Sequence, residues 1–217
     1  SGFYSVSSGT ASFRGNVVTG RRPDQLSQLG IARTFQNLRL FGQMTVRENI
    51  LVALDRSSMW SVWQYLVWPI GIWRAEHALH KRTEQLLDQY GLTDFAEAAP
   101  KSLPYGIQRR VEIARAMATS PSLLLLDEPA AGLNGQEVGD LSEIVRSIRD
   151  TGVTVVLIEH NMGLVMSLCD RVTVLASGSV IAEGTPAEVA ARPEVIEAYL
   201  GDSMNTDDIA IEVESSR

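Results

Sequence analysis

Two adjacent carboxylates, Asp127 and Glu128, follow four consecutive leucines, Leu123 to Leu126, and precede Pro129. An apolar run with no polar face suits a strand buried on both sides, and the proline forbids a simple continuation. In an open parallel sheet, ligands bind outside the carboxyl ends of the strands. Two acids there can divide the work, one holding a hydrated metal and the other polarising a water. A core strand with a solvated acidic end has the same sequence pattern. The choice therefore rests on whether other stretches supply phosphate-handling parts.

Two further stretches bear on it. Leu103-Pro-Tyr-Gly-Ile-Gln108 leads into the helical pattern Arg109–Ala118. A glycine opening a helix exposes backbone amides at the positive end of the helix dipole, which suits an anion. His160 ends the β-branched run Val153–Ile158 as the acids end theirs. Neighbouring parallel strands would bring all three to one rim, where an imidazole can serve as a proton donor or acceptor.

The elements that carry these residues follow from periodicity and punctuation. Thr10–Phe13 reads as a strand beside turn signals at Gly15-Asn16 and Thr19-Gly20, and Ile31–Gln36 as a strand ending at Gln36. Thr45-Val-Arg-Glu48 is a capping box that starts a helix. Leu79, Leu86, Leu87 and Tyr90 form a helical face, closed by Gly91. Val138, Leu141, Val145 and Ile148 mark an amphipathic helix, and Asn161 caps another with Leu164, Val165, Leu168 and Cys169 on its apolar face. Ser177-Gly178-Ser179 signals a hairpin between Val172–Leu175 and Val180–Ala182, and Thr185-Pro-Ala-Glu188 is a second capping box. Strand and helix alternate through this half, which predicts an α/β core with a largely parallel sheet and a helical insertion. The four tryptophans, Trp60, Trp63, Trp68 and Trp73, cluster inside that insertion. They either fill a small core or form an aromatic surface that meets lipid headgroups or a membrane partner.

Composition narrows the class. With 217 residues and 45% hydrophobic content, the chain can bury a real core. A net charge of −7 argues against an electrostatic nucleic-acid binder. The single cysteine, Cys169, rules out an internal disulfide, and its apolar helical setting makes it a small core residue. The most apolar stretch, Met59–Trp73, is too short to span a bilayer and is interrupted by Gln64, Pro69 and Gly71.

Taken together, Thr34-Phe35-Gln36-Asn37, Leu103–Gln108, Leu123–Glu128, Ala131-Gly132-Leu133-Asn134 and His160 resemble, in order and spacing, the Q-loop, signature, Walker B strand, D-loop and switch histidine of an ABC-transporter ATPase subunit. Gly30–Phe41, the Leu-Pro-Tyr-Gly signature and Glu183-Gly-Thr-Pro186 look most like the branched-chain amino-acid importer branch, nearer its G-type ATPase subunit than the F-type one. The resemblance covers about Ser1 to Gly201. It implies a P-loop-NTPase-like α/β core over 1–36 and 119–200 and a helical subdomain over 37–118; the polar, net acidic stretch 201–217 falls outside it and reads as a flexible tail. It also implies ATP and Mg²⁺ as cofactors and ATP hydrolysis that energises import of branched-chain amino acids. Asp127 would hold the metal; Glu128 would polarise the attacking water; His160 would contact the γ-phosphate and help hold the water; and Gln36 would touch the metal or the water and relay site closure to the helical subdomain. Leu103, Pro104, Tyr105, Gly106, Ile107 and Gln108, with Asn134, would face a partner's ATP. The implied partners are a second ATPase subunit, identical or related, two permease subunits and, indirectly, a solute-binding protein, with no nucleic acid. The implied place is peripheral, on the cytoplasmic face of the cell membrane.

The sequence departs from the family pattern twice. No G-x-x-x-x-G-K-[ST] occurs, and the only lysines are Lys81 and Lys101. Ser1–Tyr4 resembles the stretch just after the phosphate-loop helix, so the family's first strands and phosphate loop are expected to be missing, and this chain as given is expected not to bind ATP normally. In the signature, Pro104 and Tyr105 are ordinary for the branch, whereas Ile107 in place of glutamine is not. Two readings from other classes compete: a soluble ABC-type ATPase not coupled to transport, and a non-catalytic fragment that supplies only its signature face.

Overall fold

The structure, a computed structural model, describes residues 6–34, 38–55 and 69–200, with the side chains of 69–75, 199 and 200 excepted. It divides into two compact units, Ser1–Glu159 and His160–Arg217.

At the centre of the first unit lies a three-stranded parallel sheet of β3 (Ile31–Arg33), β4 (Leu123–Asp127) and β5 (Thr154–Ile158), in that spatial order. Ile31 pairs with Leu123, and Leu123 with Thr154, so the three strands end on one rim. The leucine run is the middle strand, as its lack of a polar face predicts. Leu124 and Leu126 are fully buried, and Leu123 and Leu125 half-buried. The expected strand Ile31–Gln36 is shorter. It ends at Arg33, Thr34 still donates its amide to the Leu125 carbonyl at 3.0 Å, and residues 35–37 lie outside the described residues. The expected buried strand Val153–Ile158 is instead an edge among the described residues, with Thr154, Val156 and Ile158 exposed. β-Branched composition fits either place, because what it records is packing on a pleated surface. A small hairpin of β1 (Ser12–Phe13) and β2 (Asn16–Val17) and the short helix α1 (Pro23–Gln28) precede the sheet.

Helices α2 (Val46–Leu54), α3 (Pro69–Gln89) and α4 (Tyr105–Ala118) pack together. Val46 and Ile50 from α2, Leu86 and Leu87 from α3, and Val111 and Ile113 from α4 are essentially inaccessible. Each such side chain contributes roughly 1.5–3 kcal/mol on burial, which outweighs the modest intrinsic preference of any single helix. The Thr45–Glu48 capping box forms as expected: the Thr45 hydroxyl accepts from the Glu48 amide, and the Glu48 carboxylate accepts from the Thr45 amide. Buried Asn49 then ties the incoming chain down. Its side chain accepts from the Phe41 amide at 2.9 Å and donates to the Phe41 and Thr45 carbonyls. Helix α5 (Gly135–Asp150) leads from β4 to β5. The tryptophans Trp60, Trp63 and Trp68 lie outside the described residues, and so does the side chain of Trp73.

The second unit opens with α6 (Met162–Leu168), capped by Asn161, whose side chain accepts from the Leu164 amide. Next come β6 (Val172–Ala176) and β7 (Ser179–Gly184), an antiparallel hairpin closed by Ser177 and Gly178, both at positive φ. This is the two-residue turn whose twist matches the strands. Helix α7 (Pro186–Ala190) carries the expected Thr185–Glu188 box. Val165, Val172, Val174, Ala182, Val189 and Val195 form this unit's core, with Cys169 and Ile181 against it. Burial pushes the Cys169 thiol above its ordinary range, with Asp170 adding to the shift, in keeping with a packing residue rather than a reactive one. No described helix is long and apolar enough to cross a membrane.

Candidate functional site

The carboxyl rim of the sheet gathers Arg33, Asp127, Glu128 and Glu159. Asp127 is the last residue of β4 and Arg33 the last of β3. Because the two strands are paired in parallel, the Arg33 guanidinium reaches along the rim and donates from Nη2 to Asp127 Oδ2 at 2.6 Å, both side chains being largely shielded. Arg33 was not legible as a site residue, because a basic residue near a strand end is commonplace. Glu128 adopts φ +45°, the left-handed region. Its amide donates to the Ile158 carbonyl at 2.8 Å, which extends the β4–β5 ladder by one step. The chain then turns tightly: Ala131 donates to the Glu128 carbonyl and Leu133 to the Ala130 carbonyl, with Gly132 at φ +80°. The Ala130 amide, pointing away from those turns, donates to Glu159 Oε1 at 2.7 Å.

Asn134, expected to face nucleotide, is the N-cap of α5: its side chain accepts from the Glu137 amide, and Glu137 Oε2 accepts from the Asn134 amide at 2.9 Å. The pattern Asn-x-x-Glu is itself a capping signal, and it could have been found in the sequence. Glu137 also faces the signature helix. A Cβ added at Gly106 would stand 2.5 Å from Glu137 Oε1, so glycine is what lets α4 and the start of α5 approach. Arg110 of α4 pairs with Asp140 of α5, and the Gly132 turn lies beside the Tyr105 ring. The segments Leu103–Gln108 and Ala131–Asn134 are therefore brought together. Within the signature, Pro104 precedes the helix as its cap, half-buried Ile107 lines a small cavity of about 30 Å³ with Gly106, Leu133 and Glu137, and Gln108 Nε2 donates back to the Leu103 carbonyl at 2.9 Å. The Tyr105 hydroxyl accepts from Arg109 Nη2 at 2.8 Å, and Arg109, fully buried, pairs with Glu112. That ion pair fixes the first turns of α4 from inside.

His160 is exposed and is the first residue of the second unit, directly after Glu159 in the chain. Gln36 lies outside the described residues. A cleft of about 320 Å³ opens beside the rim, lined among others by Leu26, Ile31, Arg33, Arg39, Arg115 and Leu125. Arg115 crosses it to donate to the Arg39 carbonyl at 2.5 Å and lies over the Phe41 ring. Burial pulls the Arg115 guanidinium below its ordinary range, partly offset by Glu112.

Among the described residues no three or more His, Cys, Asp or Glu side chains gather as a metal cage. Mg²⁺ keeps several waters and binds through one or two carboxylates plus substrate phosphates. Asp127, the one carboxylate inside the β4 strand end, fits a metal shared with a nucleotide rather than one held by protein alone. Residues 1–217 contain no G-x-x-x-x-G-K-[ST], the sequence of a loop whose backbone amides cradle phosphates.

Comparison with known proteins converges with this geometry. Residues 1–131 match the family described as ABC transporter, and residues 179–204 match the one described as branched-chain amino acid ATP-binding cassette transporter. The chain is 41% identical over 203 residues to the high-affinity branched-chain amino acid transport ATP-binding protein LivG of Escherichia coli K12, covering 93% of this chain and 80% of that one. The corresponding protein BraF of Pseudomonas aeruginosa is also 41% identical, with the same coverage. Among solved structures, the ADP conformation of MJ1267, an ATP-binding cassette of an ABC transporter, superposes with a TM-score of 0.76 at 30% identity, covering 93% of this chain and 80% of that one. The chain belongs to the ATP-binding family of ABC transporters.

Proposed function

We propose that this chain supplies the hydrolytic rim and the signature segment of an ATP-hydrolysing subunit that energises import of branched-chain amino acids, acting with a second ATPase subunit and a permease at the cytoplasmic membrane surface. The observation that carries the reading is the rim itself: Asp127 and Glu128 close the central strand, and Glu128 is held in the left-handed region. Its likeness to LivG and BraF, both named for branched-chain amino acid transport, favours this over an ATPase uncoupled from transport or a purely structural partner fragment.

In this reading Glu128 accepts a proton from the attacking water, a role typically worth ~10²–10⁴ in rate. Asp127, with Gln36, would hold Mg²⁺ through water, and the ion would supply charge neutralisation on the phosphates. Arg33 must then leave Asp127 Oδ2, and the adjoining cleft, which it already lines, offers it space. His160 would orient the water against the γ-phosphate. The Leu103–Gln108 segment and Asn134 complete the partner subunit's site rather than this chain's own. Catalysis of this kind is mostly positioning and charge stabilisation.

The test uses a protein that joins these residues to the phosphate-loop segment of a relative such as LivG. Glu128→Gln keeps shape and removes the charge, so it should bind Mg-ATP normally, lose nearly all hydrolysis and hold an ATP-bound dimer. Turnover within a few-fold of the parent would remove Glu128 from the role of base.

A further inference from the structure

Glu159 sits at the same rim with a contact that the proposed chemistry does not use. One oxygen, Oε1, accepts from the Ala130 amide at 2.7 Å; the other, Oε2, is buried with no hydrogen-bond partner. Leaving a buried polar oxygen unmatched costs about 1–3 kcal/mol, more when it is charged. For stability alone, that is a poor arrangement.

Its use becomes apparent at Glu128. A non-glycine residue at φ +45° is strained by about 1–3 kcal/mol and persists only where its surroundings over-determine it. On the amino side the restraint is the Glu128 amide, bonded to the Ile158 carbonyl at 2.8 Å. On the carboxyl side Pro129 has no N–H to give. The first amide able to pin the turn is that of Ala130, and its acceptor is Glu159. A carboxylate makes that bond charge-assisted and roughly twice as strong as a neutral one. Without it, the Ala131 amide bond to the Glu128 carbonyl, at 3.2 Å, is the nearest restraint left on the carboxyl side, so Glu128 is freer to relax toward negative φ, which shifts its carboxylate.

We propose that Glu159 is a positioning residue for hydrolysis, holding the Glu128 carboxylate in place through the Ala130 amide; this rests on Glu128 being the base. In the same phosphate-loop-bearing protein, Glu159→Ala should lower kcat by ~10–100-fold, the scale of loss expected from about 1 Å of misplacement, with KM for ATP little changed. Glu159→Gln retains an amide oxygen at the same reach and should recover most of kcat. Glu159→Asp keeps the charge but withdraws the oxygen by one methylene, and should behave like alanine. If Glu159→Ala fails to fold, the Gln and Asp variants decide between position and charge. Parent-like turnover in Glu159→Ala, a loss confined to KM, or an Asp variant as active as the Gln one would each overturn the proposal. Glu128→Gln is assayed alongside: if it remains active, the base assignment fails, whereas an inactive Glu128→Gln beside a fully active Glu159→Ala defeats only the positioning role.

Discussion

Tyr90, the last residue of the apolar face carried by α3, is 2% exposed, and its hydroxyl has no hydrogen-bond partner. Burial pushes its pKa up to about 12 from an ordinary 10, with Arg82 opposing the shift. A raised folded-state pKa means that the neutral form is what the fold accepts. The associated stability is complete below the unfolded value and is lost as pH rises from about 10 through about 12. Removing an unmatched buried hydroxyl should itself stabilise the fold by roughly 1 kcal/mol. Tyr90→Phe is therefore expected to be more stable than the parent near neutral pH, with the gap widening as pH rises through that window. Urea unfolding of both proteins across the range checks it, and a gap that does not grow with pH would show that the phenol ionises unhindered.

The same scale shows what sequence reasoning can see of a site. Asp127 and Glu128 were legible because an uninterrupted apolar run announces a strand and its end announces a rim. Arg33 and Glu159 were not, because their meaning lies in which strand neighbours which. Ile31 against Leu123 and Asp127 against Ile158 are pairings that no local pattern states. The left-handed turn at Glu128 was hidden for a related reason: nothing in Asp-Glu-Pro requires positive φ, and the surrounding bonds impose it.

At the scale of elements, caps and turns were read well because their chemistry is local. Thr45–Glu48, Asn161, the Ser177-Gly178 hairpin and Thr185–Glu188 all formed where the residues indicated. The position of β5 at an edge was not legible, since its side chains suit a centre as well. One segment gains meaning only from its neighbours: Arg39–Phe41 has no regular structure of its own but is bonded by Asn49 from α2 and by Arg115 from α4. A short stretch fixed from two helices, with Leu40 half-buried and Phe41 exposed, suits rigid docking. Cysteines placed at Leu40 or Phe41 are expected to crosslink to permease loops in the assembled transporter. Crosslinks arising only from the carboxyl-terminal unit would reverse that orientation.

At the scale of the whole molecule, residues 1–217 carry the rim proposed for hydrolysis and the segment that resembles the signature, but the sequence has no lysine-bearing glycine loop. Such a loop provides a nest of backbone amides and a lysine for the phosphates, with a hydroxyl for Mg²⁺. With a formal charge of −7 on the chain, and Asp127, Glu128 and Glu159 at the rim against Arg33, which is already paired with Asp127, a polyanion meets little to balance it. These residues alone should therefore bind Mg-ATP no more tightly than millimolar and release no phosphate. Calorimetry and a phosphate-release assay on the purified chain test this together. Micromolar affinity with turnover abolished by Glu128→Gln would mean that phosphate-binding parts exist inside this sequence.

The contact between Gly106 and Glu137 links the sequence histories of two distant positions. The three atoms nearest a methyl at 106 all belong to the flexible Glu137 side chain, so rotation of Glu137 is the route to admitting it. Rotation would break the bond from Glu137 Oε2 to the Asn134 amide, weakening a cap whose loss costs roughly 0.5–2 kcal/mol. Drift at position 106 is thus penalised at the start of another helix, and a smaller residue at 137 would remove the obstacle at the expense of that same cap. The two sites are epistatic: neither can be judged tolerant or intolerant of change until the residue at the other is known.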